Sequence, residues 1–329
     1  MSGRAETISE VLPGIFRIVV QLPIPEVGSV NAYIIDDGTR PLMVDPGMAH
    51  PTCYEIMERA IEDLGLNLER TDFFITHHHL DHFSSVPRFL NGTSRIYISK
   101  PEAEFIGRIA SGEVEEETAV FLERMGFPEK KPMNVVSQFF SDAYSQRRPW
   151  PFHYVADGDV IEKGGYHFTC LVSPGHSMAH SCLYESGRGA LIAGDQITAG
   201  IQFLLDRNDP LTDHFQSLIR LREMDVKLAL PGHGSPFKNH RERIDSLRAH
   251  HQARLEAVYS ALGKKEKDAY EITLALDGLL PDWDSFDMLP PHRKFIYTRH
   301  TFAYLQHLAT RGWVNRENRH GRILFFRCQ

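Results

Sequence analysis

Apolar and polar positions alternate along residues 1–239 in a pattern that predicts strands separated by helices. Short apolar runs such as GIFRIVVQLP, TDFFITHHH and SRIYISK are typical of strands, and SVNAYIIDDGTRPLMVDPG predicts two strands around an Asp-Gly turn. The segment CYEIMERAIEDLG instead repeats its apolar residues at helical spacing and ends at a glycine. Further strand patterns (GGYHFTCLVSPGH, SCLYES, GALIAGD and VKLALPGHG) surround a helix predicted at about residues 212–223. We therefore expect two βαβ-containing halves that form a layered α/β core.

A segment at about residues 101–155 interrupts the strand pattern. Its first part predicts helices, and its second part is rich in aromatic residues. One interpretation is a lid in which Phe139, Phe140 and Trp150 line a pocket for an apolar acyl group. The other is that the aromatic side chains form the segment's own core or an interface between subunits, because pockets and cores share the same apolar lining.

Residues 240–329 change to a mainly helical pattern. One long amphipathic helix, HRERIDSLRAHHQARLEAVYSALG, precedes two more helices and a terminal hairpin around the tripeptide RHG. We expect His250 and His251 to lie on the exposed surface of the long helix. The order of helices and hairpin is typical of a small winged-helix domain, which would follow a main domain of residues 1–239.

Charge is distributed unevenly between these two parts. The net charge is −7, but residues 1–239 carry 21 Lys/Arg against 32 Asp/Glu, whereas residues 240–329 carry 15 against 11. One interpretation of the basic end is that Arg316, Arg319 and Arg322 contact the phosphates of a nucleic acid. We favour the alternative, in which this surface packs against the acidic main domain or forms a homodimer, because so small a positive surplus is weak for a polyanion binder.

The composition of the 329 residues, 42% hydrophobic and 24% charged, is that of an ordinary globular protein. No apolar run reaches the length of a membrane span, and the start MSGRAETISEVLPG lacks the apolar core and cleavage pattern of a signal peptide. The four cysteines have no paired spacing. We expect a cytoplasmic protein with reduced thiols, in which any metal depends on histidine and carboxylate ligands.

The stretch THHHLDH places four histidines and an aspartate just beyond a predicted strand, where α/β folds usually carry their sites. Alternate residues of an extended loop point the same way, so His77 and His79 can bind one ion together. His78 points away, and we expect it to pack against the protein or to face solvent. Asp81 and His82 follow one step further along, in position for a second ion. Imidazole and carboxylate groups are the ligands of catalytic zinc.

Three later strand ends share one context, an apolar run followed by a small-residue turn and a ligand-type side chain. CLVSPGH ends at His176, ALIAGD at Asp195 and LALPGH at His233. A glycine before each ligand lets the backbone approach closely and adopt positive φ angles. Together with THHHLDH, these strand ends predict a metal centre built from seven side chains.

The His-x-His-x-Asp-His motif of residues 77–82, followed in order by His, Asp and His, resembles the metallo-β-lactamase-fold hydrolases, including the glyoxalase II-like enzymes. The VDPG stretch matches a further feature of that family. The resemblance implies a four-layer αββα sandwich, and the branch with a C-terminal winged helix includes thioester hydrolases and an endoribonuclease. It also implies two divalent metal ions, for which zinc is the best match and iron or manganese is compatible. By this resemblance, His77, His79 and His176 bind the first ion, Asp81, His82 and His233 bind the second, Asp195 bridges both, and Asp45 orients the ligands.

A pair of such ions implies a hydrolytic mechanism. The bridging water loses a proton near neutral pH, and the metal-bridging hydroxide attacks a carbonyl or phosphoryl group. In this mechanism Asp81 binds its ion and also orients the nucleophile. The sequence contains no G-x-S-x-G or G-x-x-x-x-G-K-[ST] motif, so it supports neither a serine nucleophile nor nucleoside triphosphate chemistry.

The family's recurring substrates are thioesters, lactones, β-lactams and phosphodiesters. Its lactonases carry a tyrosine three positions beyond the bridging aspartate, where this sequence has Thr198, and the missing signal-peptide pattern argues against an exported β-lactamase. We predict hydrolysis of a carboxylic thioester or ester with an apolar acyl part. One alternative is a metal-dependent endoribonuclease that holds RNA on the basic winged helix. Another is a regulator whose winged helix binds nucleic acid while its metal fold senses a ligand.

Overall fold

The computed structural model describes residues 7–24, 27–36, 38–128, 150–200, 203–204, 209–277 and 285–328. Within these ranges the chain forms two large β-sheets, one two-stranded sheet and nine α-helices. None of the helices in this described part of the chain has the length and apolar character needed to cross a membrane.

The first sheet contains seven strands that lie side by side in chain order. The strands are β1 (Ile8–Leu12), β2 (Ile15–Gln21), β3 (Ser29–Ile35), β4 (Leu42–Val44), β5 (Asp72–Phe74), β6 (Ile96–Ser99) and β7 (Phe152–Val155). Pairing is antiparallel from β1 to β4 and parallel from β4 to β7. Parallel neighbours require crossover connections. The connecting helices are α1 (Pro51–Asp63), α2 (Leu80–Phe83), α3 (Val86–Phe89), α4 (Lys100–Ser111) and α5 (Glu113–Arg124).

The second sheet contains five strands in the order β12-β11-β10-β9-β8. They are β8 (Val160–Lys163), β9 (Tyr166–Val172), β10 (Ser181–Glu185), β11 (Ala190–Gly194) and β12 (Leu228–Pro231). Helix α6 (Pro210–Glu223) joins β11 to β12, which is the sheet's parallel pair. The predicted helix at about 212–223 is therefore confirmed and begins two residues earlier.

The two sheets pack face to face. Successive side chains of a strand point to opposite faces of its sheet, so apolar residues cover both the face between the sheets and the face towards the helices. Tyr33 and Ile35 of β3 belong to the same buried cluster as Phe168 and Leu183 of the second sheet. The intervening Ile34 belongs instead to the cluster that packs the first sheet against α1, α3 and α4. A further cluster joins the outer face of the second sheet to α6 and to the long helix that follows it. The four layers are therefore helix, sheet, sheet and helix, as predicted.

After β12 the described residues form three α-helices and a hairpin, in the predicted order. They are α7 (His240–Leu262), α8 (Ala269–Ala275), α9 (Pro291–Thr310), β13 (Val314–Arg319) and β14 (Arg322–Arg327). Asp268 and Glu271 form a reciprocal capping box at the start of α8, which satisfies two backbone N–H groups there. The assignment of this part as a winged helix stays a prediction.

The C-terminal helices share one apolar core with the segment at 101–155. Phe121 of α5 and Met125, which directly follows that helix, lie in the same buried cluster as Leu255 of α7 and Tyr304 of α9. Trp150 packs on the first sheet, with its ring centroid 5.2 Å from that of Phe83. The other two aromatic residues of the predicted lid, Phe139 and Phe140, lie outside the described residues.

The prediction that His251 lies on the surface is wrong. Its side chain is fully buried, and its Nδ1 lies 2.6 Å from the Tyr304 hydroxyl of α9. The His251 ring also lies 5.1 Å from that of His214 in α6. Helix α7 is covered on two sides, by α6 and by α9, so its buried stripe is wider than its amphipathic pattern indicates.

Phe168→Ala tests the assignment of the layer between the sheets. The Phe168 ring is fully buried there, so we expect the truncation to lower the free energy of unfolding by about 3–5 kcal/mol. The matched control is Tyr154→Ala on β7, where the side chain is largely exposed and the expected change is within about 0.5 kcal/mol. Urea unfolding monitored by circular dichroism measures both, and equal effects would contradict the layer assignment.

Candidate metal centre

The predicted histidine loop begins directly after β5, and its last residues form the short helix α2. His77 lies in the extended part, His79 is the residue before the first helical turn, and Asp81 and His82 lie within that turn. The change from extended to helical backbone makes the side chains diverge. It therefore directs the first two ligand candidates and the second two to different positions.

Three imidazoles converge at the first position. His176 Nε2 lies 3.2 Å from His77 Nε2 and 3.1 Å from His79 Nδ1. His77 and His176 are buried, whereas His79 is only half-buried. This triad has a closed side within the protein and an open side towards solvent.

The second position combines a carboxylate with two imidazoles. Asp81 Oδ2 lies 3.2 Å from His233 Nε2 and 3.7 Å from His82 Nε2. Asp195 lies between the two triads, because its oxygens are 3.5 Å from His176 Nε2, 3.4 Å from His233 Nε2 and 3.6 Å from His82 Nε2. The structure thus brings all seven predicted ligand residues together.

Asp45 lies beneath this centre and connects both triads. Its carboxylate accepts hydrogen bonds from the Thr76 backbone N–H at 2.9 Å and from the Thr76 hydroxyl at 2.7 Å. His82 Nδ1 lies 2.8 Å from the same carboxylate, which leaves Nε2 directed at the second position. Thr76 Oγ1 also lies 2.9 Å from His77 Nδ1. Asp45 has a φ of 49°, a conformation that aspartate tolerates better than most residues.

Strand β3 fixes the loop that carries His233. The Asn31 amide donates to the carbonyls of Pro231 and Gly234, and the Tyr33 hydroxyl donates to Pro231 at 2.8 Å. His233 Nδ1 lies 2.7 Å from the Ser29 carbonyl, so this nitrogen carries a proton and Nε2 is the atom that faces the second position. The two sheets therefore meet at the metal centre through buried hydrogen bonds as well as through apolar packing.

Two glycines make the convergence of the strand ends possible. A Cβ atom on Gly194, which has a φ of 47°, would lie 2.5 Å from His180 Nε2. A Cβ atom on Gly232 would lie 2.4 Å from an oxygen of Asp195. A larger residue at either position would therefore displace a side chain of the centre.

The electrostatics of the two triads differ. Burial, together with the neighbouring imidazoles, holds the pKa of His77 and of His79 well below the ordinary value, so both rings are neutral. Burial also opposes protonation of His82 and His233, but the carboxylates of Asp195 and Asp81 outweigh it. They raise the pKa of His82 to about 10 and that of His233 to about 12. The same imidazoles hold the pKa of both carboxyls well below the usual range.

These residues fit divalent metal ions. Among the residues that the structure describes, His82 Nε2 and Asp195 Oδ1 have no hydrogen-bond partner although both atoms are buried, which is costly unless another group occupies the space between them. In the first triad, nitrogens 3.1–3.2 Å apart are close to the roughly 3.3 Å that separates ligands around a tetrahedral zinc. The ligand atoms of each triad lie within 4.8 Å of one another. The centre can therefore bind metal.

Two supporting residues were missed by sequence reasoning. Glu102 of α4 is fully buried and accepts hydrogen bonds from His78 and from Ser177. His180 accepts a hydrogen bond from the Asp195 backbone N–H at 3.1 Å, and burial lowers its pKa to about 3. Neither residue belongs to a recognisable motif, although both lie within four positions of a strand end or a ligand.

The three arginines suggested for nucleic-acid contact lie on the C-terminal hairpin. Arg319 pairs with Glu266 and Glu317, and Arg322 pairs with Asp268. Arg316 donates a hydrogen bond to the Gln306 side chain. Their hydrogen bonds and ion pairs within the described part of the chain thus go to neighbouring C-terminal residues and not to the metal centre.

Comparison with known proteins identifies the class. The family model of the metallo-beta-lactamase superfamily matches residues 25–233. This range begins shortly before β3 and ends at His233 of the metal centre. The chain belongs to the metallo-β-lactamase superfamily and is a metal-dependent hydrolase of that superfamily.

Its curated relatives include enzymes with different substrates in their names. It is 22% identical over 242 residues to the atrochrysone carboxyl ACP thioesterase of Aspergillus fumigatus, covering 72% of this chain and 61% of that protein. It is 24% identical to the probable metallo-hydrolase YqjP of Bacillus subtilis, covering 78% and 83%. It is 27% identical to a hydroxyacylglutathione hydrolase of Ectopseudomonas mendocina, covering 64% and 60%. The match thus spans less than two thirds of the first and third relatives.

Two solved structures resemble nearly the whole chain. A metallo-beta-lactamase family protein from Thermus thermophilus superposes with a TM-score of 0.82 at 27% identity, covering 97% of this chain and all of that one. A beta-lactamase domain protein from Burkholderia ambifaria gives a TM-score of 0.80 at 26% identity, covering 98% and 95%. The likeness therefore extends through most of residues 240–329.

Metal uptake should release protons, and the second triad should be their source. The raised pKa values mean that His82 and His233 carry protons at neutral pH in the metal-free protein, whereas the first triad is already neutral. Binding must displace those protons, so we expect release of at least about two protons per chain, to which ionisation of the bridging water adds, and an affinity that rises with pH. Zinc titration calorimetry in buffers of different ionisation enthalpy counts them. Uptake of two ions without proton release would contradict this account of the second triad.

Proposed function

We propose that the chain hydrolyses a carboxylic thioester or ester with an apolar acyl part, using two divalent metal ions, of which zinc suits the ligands best. The observation that carries the proposal is the position of Asp195 between two complete triads. A carboxylate shared in this way can hold two ions close together, as a two-metal hydrolytic site needs.

The side chains have separate roles in this proposal. His77, His79 and His176 would hold the first ion, and Asp81, His82 and His233 the second. Bound there, the two ions would supply an acidified water and polarise the substrate carbonyl. Asp81 stays one-fifth exposed while His82 beside it is fully buried. Its carboxylate can therefore accept a hydrogen bond from a water that enters from the open side, and orient that water towards the carbonyl carbon.

Two observations favour a thioester with an apolar acyl part. Two of the relatives are named as a thioesterase and as a hydroxyacylglutathione hydrolase. In the structure, the Phe105 ring lies 4.4 Å from that of His78, and the His78 ring lies 4.9 Å from that of His79. The His78 ring therefore separates the apolar Phe105 ring from His79 of the first triad, and at this position Phe105 can contact an acyl chain.

The charge around the hairpin weighs against RNA as the substrate. Arg319 and Arg322 already face carboxylates. Arg316 lines a groove of about 650 Å³ whose other charged residues are Arg124 and four glutamates, Glu113, Glu116, Glu117 and Glu317. Phosphates would meet more negative than positive charge in this groove, so it is poorly suited to hold a polyanion.

Release of free thiol from acyl-CoA and acyl-glutathione thioesters is the direct test. We expect turnover by protein that contains about two metal ions per chain. His79→Ala removes a nitrogen of the first triad and should abolish it, whereas Glu104→Gln, an exposed change on α4, should not. A sample with both ions in place that cleaves none of these thioesters would refute the proposed substrate class.

Neutralising the hairpin separates this proposal from the endoribonuclease alternative. Replacing Arg316, Arg319 and Arg322 together by glutamine should leave thioester hydrolysis within about twofold, because surface substitutions of this kind rarely cost much. The same protein should be assayed on single-stranded RNA with matched metal content. RNA cleavage by the wild type that the triple variant loses would favour the nuclease instead.

A further inference from the structure

Glu102 forms a buried junction between two loops of the metal centre. It lies in the first turn of α4, and its side chain is fully inaccessible to solvent. One carboxylate oxygen accepts from the His78 backbone N–H at 3.0 Å and lies 2.5 Å from His78 Nδ1. The other accepts from the Ser177 hydroxyl at 2.7 Å and from the Ala179 backbone N–H at 2.8 Å.

The two loops joined in this way carry every ligand of the first triad. His78 lies between His77 and His79, and Ser177 directly follows His176. A buried carboxylate is tolerated only when its oxygens are fully hydrogen-bonded, so these four contacts strongly favour one separation of the loops. That separation sets the distances among the three triad nitrogens.

The second triad has different supports. His82 is held by Asp45, and His233 is held by the Ser29 carbonyl. Neither contact involves α4. Loss of Glu102 should therefore weaken metal binding at the first triad and have much less effect at the second.

We propose that Glu102 is a positioning residue that preorganises the His77–His79–His176 triad for the first metal ion. The inference rests on the proposed two-metal function. A merely structural role for Glu102, such as anchoring α4, would lower the stability of the fold and would affect both metal positions alike.

The experiment measures the effect of Glu102→Gln in two variant backgrounds, each of which keeps one of the two triads intact. In His233→Ala the first triad is intact, and in His79→Ala the second is intact. Cobalt(II) binding is measured by visible absorption in competition with a chelator, and wild-type stoichiometry is determined alongside. Glu104→Gln, two residues along the same helix and exposed, is the matched control.

We expect Glu102→Gln to weaken cobalt binding about 10–100-fold in the His233→Ala background and by less than about threefold in the His79→Ala background, with no change for the control. An equal effect in both backgrounds, or none in either, would overturn the positioning role. A wild type that binds fewer than two ions would instead overturn the proposed function, and this inference with it.

If Glu102→Gln does not fold, Ser177→Ala provides the same test. It removes one of the four hydrogen bonds and leaves the carboxylate in place. The expected loss of cobalt affinity is smaller but has the same dependence on the background. Equal losses in the two backgrounds would count against the proposal here as well.

Discussion

The concentration of imidazoles and carboxylates at one edge of the sandwich is the constraint on which the rest of the structure depends. Asp45, Asp81 and Asp195 are held within hydrogen-bond or ion-pair distance of His82, His176 and His233, mostly out of contact with water. Such a group is stable only if each ring and each oxygen has a defined partner. The surrounding elements supply these partners: Thr76 for Asp45, the Ser29 carbonyl for His233, and the Asp195 backbone for His180.

The metal centre was predictable because each of its ligands lies in a recognisable local sequence context. Each of His176, Asp195 and His233 follows an apolar strand and a glycine, and strands of one sheet end at a common edge. The layered fold followed from the same alternation of strands and helices. The residues that orient the ligands were harder to find. Glu102 occupies an ordinary Pro-Glu helix start, and only tertiary packing brings it to a loop 24 residues earlier.

In the C-terminal part, too, the sequence pattern did not reveal which tertiary contacts bury a residue. Helix α7 has the pattern of an amphipathic helix with one buried face, but α6 and α9 cover it on two sides and bury His251. Likewise, the aromatic residues at 101–155 were compatible with either a lid or a core. Phe121 and Met125 pack with α7 and α9, so α5 cannot swing away from those helices without exposing them. For α5, therefore, the aromatic side chains serve the core.

The charge of the centre bears on which substrate it suits. Two divalent cations would bring four positive charges to the three carboxylates Asp45, Asp81 and Asp195, and so leave a surplus of one. The thioester group itself is neutral when it binds and becomes negative only as its carbonyl is attacked, so the surplus stabilises the transition state more than the ground state. A phosphodiester is already anionic and extends along a charged backbone, which would need further cations beyond the centre. Arg319 and Arg322, which lie on the basic hairpin, are already engaged by Glu266, Glu317 and Asp268. The same electrostatics that make the centre a good site for metal therefore favour a neutral carbonyl as the group that reacts.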